Sequence, residues 1–184
     1  MRVERVSPGW RGAAAALIAA ATYTAGAGAS EEARNDVEVS VVGGYGFGGT
    51  HEDEETNRYQ AAVGARAGAT LKAPRLYLGG SFIHFFGGEG GGGRVVTNTA
   101  DVEVGYDFEP ADDFVLRPLL GFGLAQPITI QSDNAGYPLA LHLAPGALAE
   151  MRFRPLVLSG LIREDIIPGG ANAFTVLGGA GVVF

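Results

Sequence analysis

Along residues 36–47 the chain alternates, with Val37, Val39, Val41, Gly43, Tyr45 and Phe47 at odd positions and Glu38, Ser40, Val42, Gly44 and Gly46 at even ones. Successive side chains of a strand point to opposite faces, so this period of two predicts a strand with one apolar face and one polar or slim face. Seven further stretches repeat the pattern. Residues 58–71 set Tyr59, Ala61, Val63, Ala65, Ala67, Ala69 and Leu71 against Gln60, Gly64, Arg66, Gly68 and Thr70. Residues 76–87 are apolar on both sides through Phe82, Ile83, Phe85 and Phe86; assigning Leu76, Leu78, Phe82 and Phe86 outward carries His84 outward too. Residues 95–108 are sharply two-faced, with Val96, Ala100, Val102, Val104, Tyr106 and Phe108 against Thr97, Thr99, Asp101, Glu103, Gly105 and Asp107. In residues 114–126, Phe114, Leu116, Leu120, Phe122 and Leu124 oppose Arg117, Gly121, Gly123 and Ala125. Pro118 lies within that stretch and predicts a bulge or a missing ladder hydrogen bond. Residues 139–153 set Leu139, Leu141, Leu143, Ala147, Met151 and Phe153 against His142, Gly146, Glu150 and Arg152, and residues 156–164 set Leu156, Leu158 and Ile162 against Ser159 and Arg163. The last stretch, 173–184, carries Phe174, Val176, Ala180, Val182 and Phe184 on one face and Ala173, Thr175, Gly179 and Gly181 on the other, with Leu177 and Val183 interrupting the slim face.

The connections alternate in length. Residues 48–57, 88–94, 127–138 and 165–172 are long, while 72–75, 109–113 and 154–155 are short. Eight strands joined in this way predict an all-β, antiparallel up-and-down barrel. Three carboxylates on one face of residues 95–108 exclude that face from an apolar core unless each finds a partner. Those carboxylates fit a paired lumen or a water-facing outside alike; the terminal Phe184, the aromatic belts and the Leu, Val and Phe faces of nearly every strand point the apolar faces out and the polar faces into the lumen. Aromatic residues gather near strand ends, Phe108, Phe114, Phe153 and Phe184 at one end and Tyr45, Phe47, Tyr59, Phe86 and Phe174 at the other. Two girdles of this kind are expected of a barrel that crosses a membrane, with the termini and short turns on the periplasmic side.

Composition changes this picture in three respects. The chain has 184 residues, enough for one closed domain, and no cysteine, which removes disulfides and thiolate metal sites. Its 30 glycines follow no collagen-like period and fall within the alternating segments. Residues 1–29 have the pattern of a cleavable signal peptide: Arg2, Arg5 and Arg11, then an alanine-rich stretch, then Ala25-Gly26-Ala27 or Ala27-Gly28-Ala29 as the cleavage site. The barrel domain is then residues 30–184. The formal net charge is −7, and removing residues 1–29 takes away three arginines and Glu4, so the exported chain is more acidic still. That charge argues against nucleic acid as a partner.

If the faces are assigned correctly, the lumen gathers Glu38, Asp101, Glu103, Asp107 and Glu150 with Arg66, Arg117, Arg152, Arg163 and His142. Charges in a low-dielectric interior need partners, and an eight-stranded barrel is just wide enough for side chains to fill. One reading is a structural plug of salt bridges. The other is a gated pore in which Glu150 changes partner between Arg66 and Arg117.

The Gly-Tyr-Asp-Phe of residues 105–108, the Arg-Pro-Leu-Leu-Gly-Phe-Gly of 117–123 and the closing Gly-Ala-Gly-Val-Val-Phe of 179–184 carry a resemblance. Over essentially all of residues 36–184 the chain resembles the small OmpA-like or OmpX-like eight-stranded outer-membrane barrels. The resemblance implies residence in the outer membrane of a Gram-negative cell, contact with its lipid and lipopolysaccharide, and a monomer. It further implies a C-terminal strand read by the barrel-assembly machinery, with Phe184 as the assembly signal. A separate peptidoglycan-binding domain, present in full-length OmpA, is not expected here.

No cofactor and no metal are expected. The run His51-Glu52-Asp53-Glu54-Glu55 offers carboxylate oxygens, but consecutive residues lack the spacing of a calcium loop and read as a solvated acidic loop. The run Gly-Glu-Gly-Gly-Gly-Gly-Arg of residues 88–94 lacks the Lys-Ser/Thr pair and following helix of a phosphate loop and reads as a flexible connection. No histidine has a serine two residues on, the pattern that a resemblance to barrel lipid A deacylases would require. His142 and Glu150 share a face but stand roughly 26 Å apart along a strand, too far for a dyad. A non-enzymatic outer-membrane barrel with a structural or surface-interaction role is the leading expectation. A small ion or solute channel is the alternative, ahead of a lipid-modifying enzyme or a soluble barrel binding a lipophile.

Overall fold

The computed structural model describes residues 36–48, 59–71, 74–90, 93–130, 139–168 and 172–184. The segment expected to be a signal peptide and the acidic run at residues 51–55 lie outside the described residues. The strands are β1 (Asp36–Gly48), β2 (Gln60–Leu71), β3 (Leu76–Phe85), β4 (Glu89–Gly90), β5 (Gly93–Tyr106), β6 (Phe108–Ala111), β7 (Phe114–Ile130), β8 (Ala140–Phe153), β9 (Leu156–Asp165) and β10 (Ala173–Val183). β4 is a two-residue hairpin arm beside the start of β5, and β6 resumes the line of β5 after a break at Asp107. Every pairing is antiparallel. The ring runs β1-β2-β3-β5-β7-β8-β9-β10, and β10 closes it against β1 in unbroken register from Glu38↔Val183 to Gly48↔Ala173. The fold is a closed eight-stranded up-and-down barrel. It has a turn end, where the short connections lie and the start of β1 meets the end of β10 at Val37 and Phe184, and a loop end with the long connections.

Alternation decides the faces. Val41, Val63, Leu78, Val102, Leu120, Leu141, Leu158 and Val176 are exposed on the outside, whereas Ser40, Arg66, Ser81, Glu103, Leu148, Leu161 and Leu177 are buried in the lumen. Leu177 and Val183, the interruptions in the last strand, are interior side chains. Strand β3 has the expected assignment, with Leu78 and Phe86 exposed and Tyr77, Ser81, Ile83 and Phe85 buried. Aromatic pairs mark both rims: Tyr106 and Phe108 lie 4.9 Å apart at the turn end, Tyr45 and Phe47 4.9 Å apart at the loop end.

Several expectations need correction. Tyr59 does not join the outer girdle: it is 0 % exposed and packs edge-on against Phe85 at 4.9 Å in the interior. Gln60 takes a left-handed backbone (φ 55), which reverses the phase of the strand at its first residue. Val37 and Val96, on the outward parity, are buried as well. The connection expected at residues 88–94 is a hairpin with Glu89↔Arg94 and Gly90↔Gly93 paired, entered through Gly87 (φ 60), where a Cβ would strike the Val95 carbonyl. Finally, β7 continues through Pro127 to Ile130, and β9 continues to Asp165, both beyond their expected ends.

The prolines explain how such a chain stays laddered. Pro118 makes no bulge: the β7–β8 register passes through Pro118↔Ala147, while the β5 ladder stops at Gly105↔Leu119 and β6 begins at Phe108↔Leu116. The proline thus occupies the gap where a donor is not required, and the irregularity appears in β6 between Phe108 and Ala111. Pro127 pairs with Thr97 beyond the last β7–β8 pair, Ala125↔Ala140, and Pro145 pairs with Leu120 before the β8–β9 ladder begins at Gly146↔Arg163. At the β2–β3 turn, Pro74 is followed by left-handed Arg75 (φ 66), the order of a type II turn.

Candidate functional site in the lumen

All ten charged side chains assigned to the lumen, Glu38, Arg66, Asp101, Glu103, Asp107, Arg117, His142, Glu150, Arg152 and Arg163, are buried. The ladder sorts them into three groups. Near the turn end, Arg117 reaches Asp107 through Nε at 2.5 Å and Nη2 at 3.0 Å, and Glu150 through Nη1 at 3.1 Å. Its guanidinium lies 3.8 Å from the centre of the Tyr77 ring, and Glu38 stands 3.6 Å from Nη1. Thr70 donates to Asp107 at 2.9 Å. Arg152 joins this group, 3.2 Å from Glu150 and 3.3 Å from Asp36, and Arg154 on the rim holds Asp36 at 3.1 Å. Asp36 therefore ties the start of β1 to the β8–β9 turn, across the mouth of the barrel.

In the middle of the lumen Arg66 grips Glu103 with Nε at 3.1 Å and Nη2 at 2.7 Å. Both reach Oε2, with Oε1 3.4 Å from Nε, a charge-assisted pair buried in the lumen. Towards the loop end, Arg163 contacts Asp101 at 3.3 Å and Asp165 at 2.6 Å, and donates to Thr99 at 3.3 Å. His142 sits between the same two carboxylates, Nδ1 2.7 Å from Asp101 and Nε2 3.1 Å from Asp165. Thr175 donates to Asp165 at 2.5 Å.

Glu150 thus stands with Arg117 and Arg152, and Arg66 is taken by Glu103. His142 and Glu150 fall in different groups. Sequence reasoning missed Asp165, Tyr77, Thr70 and Asp36. Asp165 has the same parity as Arg163, so extending β9 by one residue would have found it. Among the described residues no cluster of three or more His, Asp or Glu is placed to hold a metal ion.

Apolar side chains line the lumen among and beyond the charged groups. Tyr59, Ala62, Ile83 and Phe85 on one wall join Ala125, Ile167 and Ala173 on the other in one buried cluster, which continues down the lumen through Val42, Leu177, Leu161, Leu148 and Leu119. Gly46 makes room for it: a Cβ there would lie 2.8 Å from the Tyr59 Cβ and 3.3 Å from the Phe85 ring.

No protein-family model matches the chain, and no curated protein sequence matches it. Solved structures do. The N-terminal β-barrel domain of Pseudomonas aeruginosa OprF superposes with a TM-score of 0.61 at 16% identity, over 83% of this chain and 99% of that one. The chain has the fold of the small eight-stranded outer-membrane barrels. Neisserial surface protein A matches with a TM-score of 0.57 at 10% identity, over 82% of this chain and 97% of that one. Ail, the attachment invasion locus protein of Yersinia pestis, in complex with the heparin analogue sucrose octasulfate, matches with a TM-score of 0.56 at 15% identity, over 82% and 99%. For an outer-membrane-type barrel of this size, a lumen packed with side chains is the expected interior.

Proposed function

We propose that the chain is an integral barrel of a Gram-negative outer membrane, monomeric and non-enzymatic, with its lumen plugged and a structural or surface-interaction role carried by the connections at the loop end. The observation that carries this reading is the inversion of polarity. Leucine, valine and phenylalanine cover the outside, and buried ion pairs lie inside. A water-soluble barrel has no reason for that arrangement, whereas lipid rewards it. The turn end faces the periplasm in this reading, and Phe184, 69 % exposed at the end of the seam strand, is the residue offered to the assembly machinery. Lipid and lipopolysaccharide surround the apolar band. The acidic run at residues 51–55 gives the first loop a charge opposite to that expected of a site for sulfated sugars, so a ligand like the one bound by Ail is not the partner proposed here.

Val102 supplies the test. It is 65 % exposed, and its neighbours in register, Gly80 and Phe122, lie on the flanking strands at mid-wall. In lipid, Val102→Arg is expected to destabilise the barrel by about 2–4 kcal/mol; on a water-exposed surface the change would stay within about 0.5 kcal/mol. Urea titration of the protein refolded into lipid vesicles, read by the gel shift between unboiled and boiled samples, makes the measurement. A neutral Val102→Arg, or recovery of the wild type in the soluble periplasm with no gel shift, would overturn the membrane reading. In planar bilayers the wild-type barrel is expected to be silent; steady openings that change when Arg66 or Arg117 is replaced would favour the channel instead.

A further inference from the structure

We infer that the apolar cluster at the loop end is a switchable seal, and that Tyr59 is its moving part, swinging between the lumen and the lipid-facing girdle about the backbone of Gln60. The inference rests on the plugged-barrel reading and adds a second state to it.

Parity places Tyr59 outside. Ala61 and Val63, the next residues of the same phase, are exposed on the outer face, and the register Tyr45↔Ala61 sets this edge beside the Tyr45–Phe47 pair. An extended Gln60 would therefore send Tyr59 into that aromatic girdle, where a tyrosine is at home. The observed chain does otherwise because Gln60 is left-handed, a conformation uncommon for a residue with a Cβ. Three features hold it there. The Tyr59 ring fits edge-on to Phe85, Gly46 leaves the space, and Gly87, itself left-handed, donates its N–H to the Tyr59 carbonyl at 3.0 Å. One dihedral change thus separates two aromatic sites for the same ring. The inward site covers the outermost charged group, because Thr175, which holds Asp165, lies beside Gly46 and the seal. With the ring outside, water gains a path to Asp165, His142 and Arg163 from the loop end. Apolar constrictions that open and close to water are an established form of gate.

The absence of native cysteine makes the test clean. Ser40 lies in the middle of the lumen and its hydroxyl has no hydrogen-bond partner, so Ser40→Cys introduces a reporter at little cost. Its rate of modification by a small, charged methanethiosulfonate reagent is measured in lipid vesicles, alone and combined with Tyr59→Ala, Gln60→Val or Gln60→Gly. Valine tolerates the left-handed conformation poorly and glycine adopts it freely. Modification is expected to be at least about tenfold faster with Tyr59→Ala and with Gln60→Val than with Ser40→Cys alone, and no faster with Gln60→Gly. Equal, slow rates in all four proteins, each retaining its gel shift, would overturn the seal while leaving the plugged barrel intact. Fast modification of Ser40→Cys alone would overturn both. Should Gln60→Val not fold, the contrast between Tyr59→Ala and Gln60→Gly decides.

Discussion

Replacing Arg117 with leucine is expected to destabilise the barrel by about 3–5 kcal/mol, because carboxylates from three separate parts of the wall converge on its one guanidinium. Asp107, Glu150 and Glu38 all converge on it, and the Tyr77 ring stacks beneath. Removal leaves Arg152 as the remaining cation of that group, already shared between Glu150 and Asp36. The penalty comes from the stranded charges more than from the lost pair. Adding Glu150→Gln to Arg117→Leu should therefore recover part of the stability, whereas additive effects would give a double variant worse than either single one. Urea titration in lipid vesicles reads all three proteins. A leucine variant within about 0.5 kcal/mol of wild type would mean that water reaches this group and screens it.

Gly123→Val is expected to prevent closure altogether. Gly123 faces the lumen in β7, and a Cβ there would fall on the Ala100 carbonyl and 2.7 Å from the Asp101 Cα of the adjoining strand. Those are backbone atoms of the β5–β7 ladder, which cannot move without separating the strands. Gly160 is the control. It faces outward on β9 with nothing within 4 Å of an added Cβ, so Gly160→Val should fold with an unchanged gel shift. If Gly123→Val refolds as well as Gly160→Val does, the close approach of β5 and β7 is not what requires the glycine.

The strand faces were legible because a period of two needs no partner to be read. Ser40, Glu103 and Glu150 fall on the polar side of their own segments whatever lies next to them. Who pairs with whom was not legible, since the partner of Arg66 or Arg117 depends on the stagger between strands, and that is set by the closed ring. Tyr59 was misplaced for a local reason: one left-handed residue reverses phase, and glutamine gives no warning of it. Pro127 looked like the start of a loop because a proline in a strand is costly only where its neighbour needs a donor, and the β7–β8 ladder has already ended there. Asp165 was lost by ending β9 one residue early, and with it the second carboxylate, beside Asp101, that joins His142 to Arg163.

The seam between β1 and β10 joins the earliest described strand to the last. All other ring contacts can form between strands that are neighbours in sequence, but this one waits until the whole wall has been made. Long-range pairings of this sort are slow, because the chain gives up its freedom before the contact repays it. Until Glu38 meets Val183, the growing sheet has two bare edges rich in glycine, where it is open to pairing with another chain. The same seam that leaves the finished barrel without an edge therefore makes its unfinished form the stage most exposed to aggregation, and the stage at which an escort protein would do most good.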